Sequence, residues 1–395
     1  MILAHKIQLE PTVEQTISLA QHAGTARMVF NWGLAEWGRQ LAAGLKPSAA
    51  KLKIQFNGVK YELFPWLKGI ARDAHSQPFA DLNTAFQRYF KKLARRPKFK
   101  SKGKAKDSFY VANDKLKLAG NRVRIPVIGW VRLRESLRFA GKIMSARVSR
   151  TADKWFISIQ VDVGDLWYDR EADGQVGVDL GLKSFAVLST GESFDSPRPL
   201  RFYLKRLARL QRSFSRKKKG SNNREKLKVK IARLYARIYN IRKDFIHKLT
   251  TDLSRKNQTV VVEDLLVSGM IKNRKLSRAI SDSGWGEFRW QLEYKLKLYG
   301  GRLVVINRFF PSSKLCSGCG SKKDSLALST RTYVCEACGM SLDRDHNAAI
   351  NILAAGLAVS ACGPEGSGCC RETPVKPRRV EARTKPGVES FLLTN

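Results

Sequence analysis

The chain has 395 residues, with 73 Lys+Arg against 34 Asp+Glu, a formal charge of +39 and 43% hydrophobic residues. That apolar content excludes a disordered chain, and the length allows about two to four domains with a substantial core. A compact protein of this charge repels itself without a polyanion, which points to an extensive nucleic-acid partner. A membrane surface is the alternative, but no long apolar segment or lipidation signal is found. With no signal peptide in view, a reducing setting in the cytoplasm or nucleoid of a prokaryote is expected.

Residues 1–12, MILAHKIQLEPT, read as a strand ended by Pro11. Residues 13–44 turn helical, with Ile17, Leu19, Ala20, Ala23, Ala26, Val29, Phe30 and Leu34 as the apolar stripe and Arg27 and Asn31 interrupting it. A second helical block over about 69–94 spaces Phe79, Phe86 and Phe90 for a core face. The loop RRPKFKSKGKAK, 95–106, is basic and broken by Pro and Gly. A charge run is usually a solvated face, yet a flexible polycation beside a duplex clamps phosphates, which nominates Arg95, Arg96, Lys98, Lys100 and Lys102.

From 108 to 163 the apolar period changes to two. Trp155, Ile157, Ile159, Val161 and Val163 alternate with polar residues, after Val123, Ile125, Trp130, Val131 and Leu133. A small antiparallel barrel or sheet is expected, completed by the strand at 3–9. QVGVDLGLKSFAVLST, 175–190, suggests a hairpin with Asp179 where its first strand meets the turn. Residues 200–253 form a helical hairpin whose second arm carries Leu227, Ile231, Leu234, Ile238, Ile241, Phe245, Leu249 and Leu253 on one seam. Its turn exposes Arg216, Lys217, Lys218 and Lys219 to a phosphate backbone. TVVVEDL, 259–265, is a strand ending in Glu263. A helix with Trp285, Phe288, Leu292, Leu296 and Tyr299 follows, then the strand RLVVIN, 302–307.

The segment 311–353 combines metal-ligand spacing with a carboxylate. Cys316/Cys319 and Cys335/Cys338 form two C-x2-C pairs fifteen residues apart, each followed by a glycine, Gly320 and Gly339. Four thiolates on two such knuckles make a closed shell suited to structural Zn²⁺. Two disulfides or four buried thiols are the alternatives. The ribbon either grips nucleic acid or braces its neighbours. A helix opens at Asp345, with Ala348, Ala349, Ile352 and Leu353 at i+3, i+4, i+7 and i+8, so Asp345 falls on the buried stripe. A plain N-cap aspartate is the alternative. Beyond about 357 the chain turns Gly/Pro/Arg-rich, and Cys362, Cys369 and Cys370 look incidental.

Asp179, Glu263 and Asp345 each stand at a strand end or helix start in apolar context. Arg or Lys pairing is the ordinary explanation for any one of them. Three together suit Mg²⁺, often two ions, which activate water and stabilise the leaving oxygen of a phosphodiester. A polyanion grip plus such a cluster reads as a nuclease.

GVDLGLKSFAV, VVVEDL, SDSGWGEFRWQLEYK, FPSSKLCSGCG and DRDHNAAINIL resemble the TnpB family of transposon-encoded RNA-guided nucleases, related to type V CRISPR effectors. The resemblance implies a multidomain α/β protein with a β-barrel. Residues 1–12 and 106–165 would be a wedge barrel and 13–105 a helical recognition lobe. Residues 166–312 and 342–357 would be a RuvC-type, RNase H-like nuclease, 313–341 its inserted zinc ribbon and 358–395 a disordered tail. It implies Asp179, Glu263 and Asp345 as catalytic Mg²⁺ ligands and Cys316, Cys319, Cys335 and Cys338 as Zn²⁺ ligands. It further implies a guide RNA from the transposon end, recognition of a short flanking motif, and cleavage of both strands of matched DNA in support of transposon retention. The rivals are a nuclease-inactive RNA-guided repressor, a basic zinc-ribbon RNA-binding protein and a strand-transfer transposase. The presence of all three acidic positions argues against the first two.

Overall fold

The computed structural model describes residues 1–164, 168–169, 171–327 and 329–361. The chain divides into two compact units between residues 165 and 166. No helix among the described residues is long and apolar enough to cross a membrane.

In the first unit, β1 (Ile2–Glu10) stops before Pro11 and α1 (Val13–Ala42) begins at a capping box. Thr12 Oγ1 accepts from the Gln15 amide at 3.2 Å, and Gln15 Oε1 accepts from the Thr12 amide at 3.1 Å. Helices α2 (Ala49–Leu63) and α3 (Arg72–Phe90) pack with α1 around Leu52, Phe56, Phe79, Leu82 and Phe86. Trp37 stacks on Phe86 at 4.0 Å. Two expected stripe positions of α1, Ile17 and Ala20, face solvent, and the buried face instead takes in His22. That ring is satisfied in the interior, with Nδ1 2.7 Å from the Ser18 carbonyl oxygen and Nε2 accepting from the Ala71 amide at 3.0 Å. Phe90, at the end of α3, is exposed rather than core.

The strands of this unit are β2 (Ser108–Ala112), β3 (Lys117–Ala119), β4 (Arg122–Ile125), β5 (Gly129–Leu133), β6 (Lys142–Thr151) and β7 (Lys154–Asp162). With β1 they form one antiparallel sheet in the order β2-β6-β7-β1-β5-β4-β3. The expected strand at 3–9 does join it, near the middle, pairing with β7 over Ile2–Gln8 and with β5 at Leu9–Glu10. The expected barrel does not close, because β2 and β3 remain edges. Period-two patterning reports which face is buried, not whether two edges meet.

In the second unit, β8 (Gly174–Asp179), β9 (Ala186–Leu188), β10 (Ser193–Phe194), β11 (Asn257–Glu263) and β12 (Arg302–Ile306) form a sheet ordered β10-β9-β8-β11-β12. The β8–β9–β10 part is antiparallel, and β8, β11 and β12 run parallel. Between the strands run α4 (Pro199–Ser215), α5 (Asn222–Lys256), α6 (Val267–Met270), α7 (Ser277–Ser283) and α8 (Trp285–Leu298). The small ribbon hairpin β13 (Thr332–Val334) and β14 (Ser341–Asp343) leads into α9 (Arg344–Ala361). The run Val260–Val262 is buried throughout because the sheet is covered on both sides. Val260 and Val262 pack with Ile246, Leu249 and Leu253 of α5 and Phe288 and Leu292 of α8, while Val261 packs with Ile352 of α9. Helix α9 lies very close to the sheet: a Cβ on Gly177 would come 2.2 Å from the Ala349 carbonyl oxygen, and one on Gly356 2.3 Å from Val261 Cγ1. It continues to Ala361, past the tail boundary expected at 358. The tail from 362 on, with Cys362, Cys369 and Cys370, lies outside the described residues.

Candidate active site and metal centre

The parallel register pairs Val178 with Val262, so Asp179 and Glu263, the next residues, stand at the same C-terminal edge of adjacent strands. Open α/β sheets place ligands outside such strand ends. Asp345 joins from the first turn of α9, which packs across β8 and β11. All three acids are half-buried. Asp345 is not the helix cap. That role belongs to Asp343, whose Oδ1 accepts from the Asp345 amide at 2.9 Å and the His346 amide at 3.1 Å.

Burial, and then the negative charges of Glu263 and Asp345, push the Asp179 carboxyl up to about 7, against the opposing pull of Arg344 and the Leu180 amide. Burial also raises Glu263, while a hydrogen bond from the Ser312 hydroxyl at 2.5 Å favours its charged form. The ordinary pairing with arginine is found one residue on. Asp264 takes Arg289 at 2.5 Å and also Arg308. Among the described residues no Lys or Arg forms an ion pair with Asp179, Glu263 or Asp345. Three half-buried carboxylates at one sheet edge suit a hard divalent cation such as Mg²⁺.

Among the described residues, only the four cysteines bring three or more such ligand atoms within 4.8 Å of one another, so the three carboxylates stand further apart than that. Cys316 Sγ lies 3.6 Å from Cys338 Sγ, and Cys319 Sγ 3.6 Å from Cys335 Sγ. A disulfide needs about 2.05 Å, so the disulfide alternative fails. Tetrahedral Zn²⁺ with Zn–S of about 2.3 Å has sulfur–sulfur edges of roughly 3.8 Å, so the quartet fits that ion. Gly320 and Gly339 adopt φ of 74° and 73° and donate their amides to the Cys316 and Cys335 carbonyls at 2.9 and 3.0 Å, closing each knuckle.

Sequence reasoning missed Ser312, Asn347 and Asn351. Asn347 Nδ2 donates to the Leu315 carbonyl at 2.7 Å, and its Oδ1 accepts from the Ser317 amide at 2.9 Å. Asn351 Nδ2 donates to the carbonyls of Ser312 and Leu315, both at 2.8 Å. Two buried asparagines one helical turn apart on α9 were the available signal.

Of the nominated nucleic-acid residues, Arg95, Arg96, Lys98 and Lys102 are exposed on their loop. Lys100 differs: its Nζ lies 3.5 Å from the Phe30 ring centroid, and its backbone exchanges two 2.8 Å hydrogen bonds with Asn31. It anchors the loop rather than offering a free cation. Arg216, Lys217, Lys218 and Lys219 are exposed at the α4–α5 turn. Arg224 holds that turn by donating to the Phe214 and Lys217 carbonyls at 3.0 and 2.7 Å.

A relative from Streptomyces pristinaespiralis named "Putative RNA-guided DNA endonuclease" is 41% identical over 394 residues, covering 96% of this chain and 94% of its own. The chain belongs to the TnpB family. Three family models match it: "Probable transposase" over residues 158–274, "Cas12f1-like, TNB domain" over 285–352 and "Helix-turn-helix domain" over 1–46. In this TnpB-family chain, the last of these segments holds a strand and one long helix. "Putative RNA-guided DNA endonuclease InsQ" of Escherichia coli (strain K12) is 36% identical, covering 91% of this chain and 94% of its own. The solved "Cryo-EM structure of the Cas12f1-sgRNA-target DNA complex" aligns with a TM-score of 0.35 and 17% identity, covering 89% of this chain and 99% of that one.

Proposed function

We propose that this protein is an RNA-guided DNA endonuclease that cuts both strands of guide-matched DNA by metal-dependent phosphodiester hydrolysis. One observation carries the reading: Asp179, Glu263 and Asp345 gather at one sheet edge, where burial and then the charges of the other two acids push the Asp179 carboxyl up to about 7. The relatives' names supply the substrate class, and the charge of +39 supplies the grip. The β10-β9-β8-β11-β12 order, with its antiparallel and parallel halves, supports an RNase H-like (RuvC) core. On this reading the first unit comprises the wedge and recognition lobe, in the segments set out from the sequence.

Asp179, Glu263 and Asp345 would hold Mg²⁺, which when bound supplies a nucleophilic water and neutralises charge on the scissile phosphate. The protein's own part is positional. Strands β8 and β11 fix two acids side by side, α9 delivers the third, and Asp343 caps that helix so that Asp345 is left for the site. Cys316, Cys319, Cys335 and Cys338 would hold Zn²⁺ as a structural centre. The guide would be RNA from the transposon end, the setting the prokaryotic cytoplasm, and the outcome retention of the parent element.

The test is to purify the protein with its flanking locus, sequence the bound RNA, and offer a plasmid library matched to it. Mg²⁺-dependent, guide-matched double-strand cuts that vanish in Asp345→Ala are expected. Matched binding without cutting in the unaltered protein would leave the repressor reading instead.

A further inference from the structure

The turn between β12 and the ribbon reaches back into the carboxylate cluster. Ser312 is buried and donates its hydroxyl to Glu263 Oε1 at 2.5 Å, across 49 positions of sequence. Its backbone is held in turn: the Ser312 carbonyl accepts from Asn351 Nδ2 at 2.8 Å, and the same amide group donates to Leu315, the residue before the first ribbon cysteine. Asn347 fastens the next step by bonding Leu315 and Ser317 on either side of Cys316. Asn347 and Asn351 are buried at 0% and 7% exposure, and both lie on α9, the helix that carries Asp345. Each of these amides makes two hydrogen bonds to the ribbon's lead-in, so this is a built contact between buried groups.

We infer that Ser312 is a positioning residue that fixes the Glu263 carboxylate for its cation, and that the zinc ribbon, seated on α9 through Asn347 and Asn351, holds Ser312 in place. The inference rests on the proposed carboxylate metal site and gives the ribbon the bracing role. Helix α9 then sets two of the three acids, Asp345 directly and Glu263 through Ser312. Partners that orient a metal-binding side chain typically change metal affinity 10- to 100-fold when removed. A hydroxyl that only satisfied a buried acid would leave cation affinity unchanged.

The test uses the full-length chain freed of nucleic acid, with Mn²⁺ binding followed by electron paramagnetic resonance. Zinc content is measured on every sample, and guide and target binding on the reconstituted complex. Loss of Mn²⁺ binding in Asp179→Asn first locates the probe at the carboxylates; if that variant binds like the unaltered chain, the metal-site reading fails, separately from this inference. Ser312→Ala should keep its zinc and its target binding, bind Mn²⁺ about 10-fold more weakly, and need correspondingly more Mg²⁺ for half-maximal cleavage. Unchanged Mn²⁺ affinity in Ser312→Ala would overturn the role of Ser312. Cys338→Ser, which removes a ribbon ligand, should lower Mn²⁺ affinity by a similar factor. Combined with Ser312→Ala it should add little, because both changes release the same carboxylate. Two independent, multiplying losses would overturn the ribbon's part.

Discussion

Asp343 and Asp345 are separated by one residue and differ in task. Asp343 gives its Oδ1 to two helix amides, whereas Asp345 adds its negative charge to the surroundings of Asp179. The i+3/i+4 spacing behind Asp345 made this position legible in the sequence, and the side-chain cap on Asp343 explains why both acids occur. Asp179 supports a prediction with a definite sign. Its proton affinity is raised on folding, so the folded state binds more protons than the unfolded one between the ordinary carboxylate range and about pH 7. Its contribution to stability is complete at low pH and is lost as pH rises through 7. Metal-free Asp179→Asn should therefore melt higher than the unaltered protein at pH 7.5 and about equally at pH 4, by calorimetry, while losing cleavage by about 10³-fold or more. An unchanged difference across pH would show that Asp179 is not proton-loaded. Ser312 was illegible for the opposite reason: a hydroxyl that meets its acid 49 residues away leaves no periodic trace.

Among the elements, α9 is the one on which the proposed site depends. Its close approach to the sheet requires Gly177 and Gly356, where any side chain would meet the Ala349 carbonyl or the Val261 side chain. Gly177→Ala should cost about 1–3 kcal/mol in urea unfolding through overpacking. It should also reduce cleavage more than target binding, because the helix carrying Asp345 is lifted. Cys316→Ser should lose bound zinc by elemental analysis; full zinc content in that variant would mean the quartet is not the ligand set. The helical hairpin and the buried parallel strands were legible because long apolar seams and β-branched runs admit few other readings. Helix α2 was not, since Leu52 and Phe56 are its only large buried residues. The α1 stripe was misplaced at Ile17 and Ala20 because a buried His22 looks polar in a sequence but is hydrogen-bonded in the fold.

For the whole molecule, net charge was legible in the composition, and sheet closure was not. Alternation along Trp155–Val161 fixes a face, while the free edges β2 and β3 depend on partners far apart in sequence. The charge predicts binding that falls steeply with salt. Arg96→Ala should weaken guide or target binding and reduce the slope of log K against log salt by about 1 for a lost phosphate contact. Lys100→Ala should instead lower thermal stability, because it removes the cation stacked on Phe30. Equal slopes in Arg96→Ala and the unaltered protein would return the 95–106 loop to a merely solvated face.

The raised proton affinity of Asp179 has a further thermodynamic consequence. A cation entering the carboxylate cluster must displace any proton on Asp179, so loading well below pH 7 would exchange metal for about one proton. Apparent affinity for Mg²⁺ would then rise about tenfold per pH unit below 7 and level off above it, and the heat of binding would vary with the ionisation enthalpy of the buffer. On the proposed reading, mild acidification would thus lower metal loading by competition at a single carboxylate oxygen.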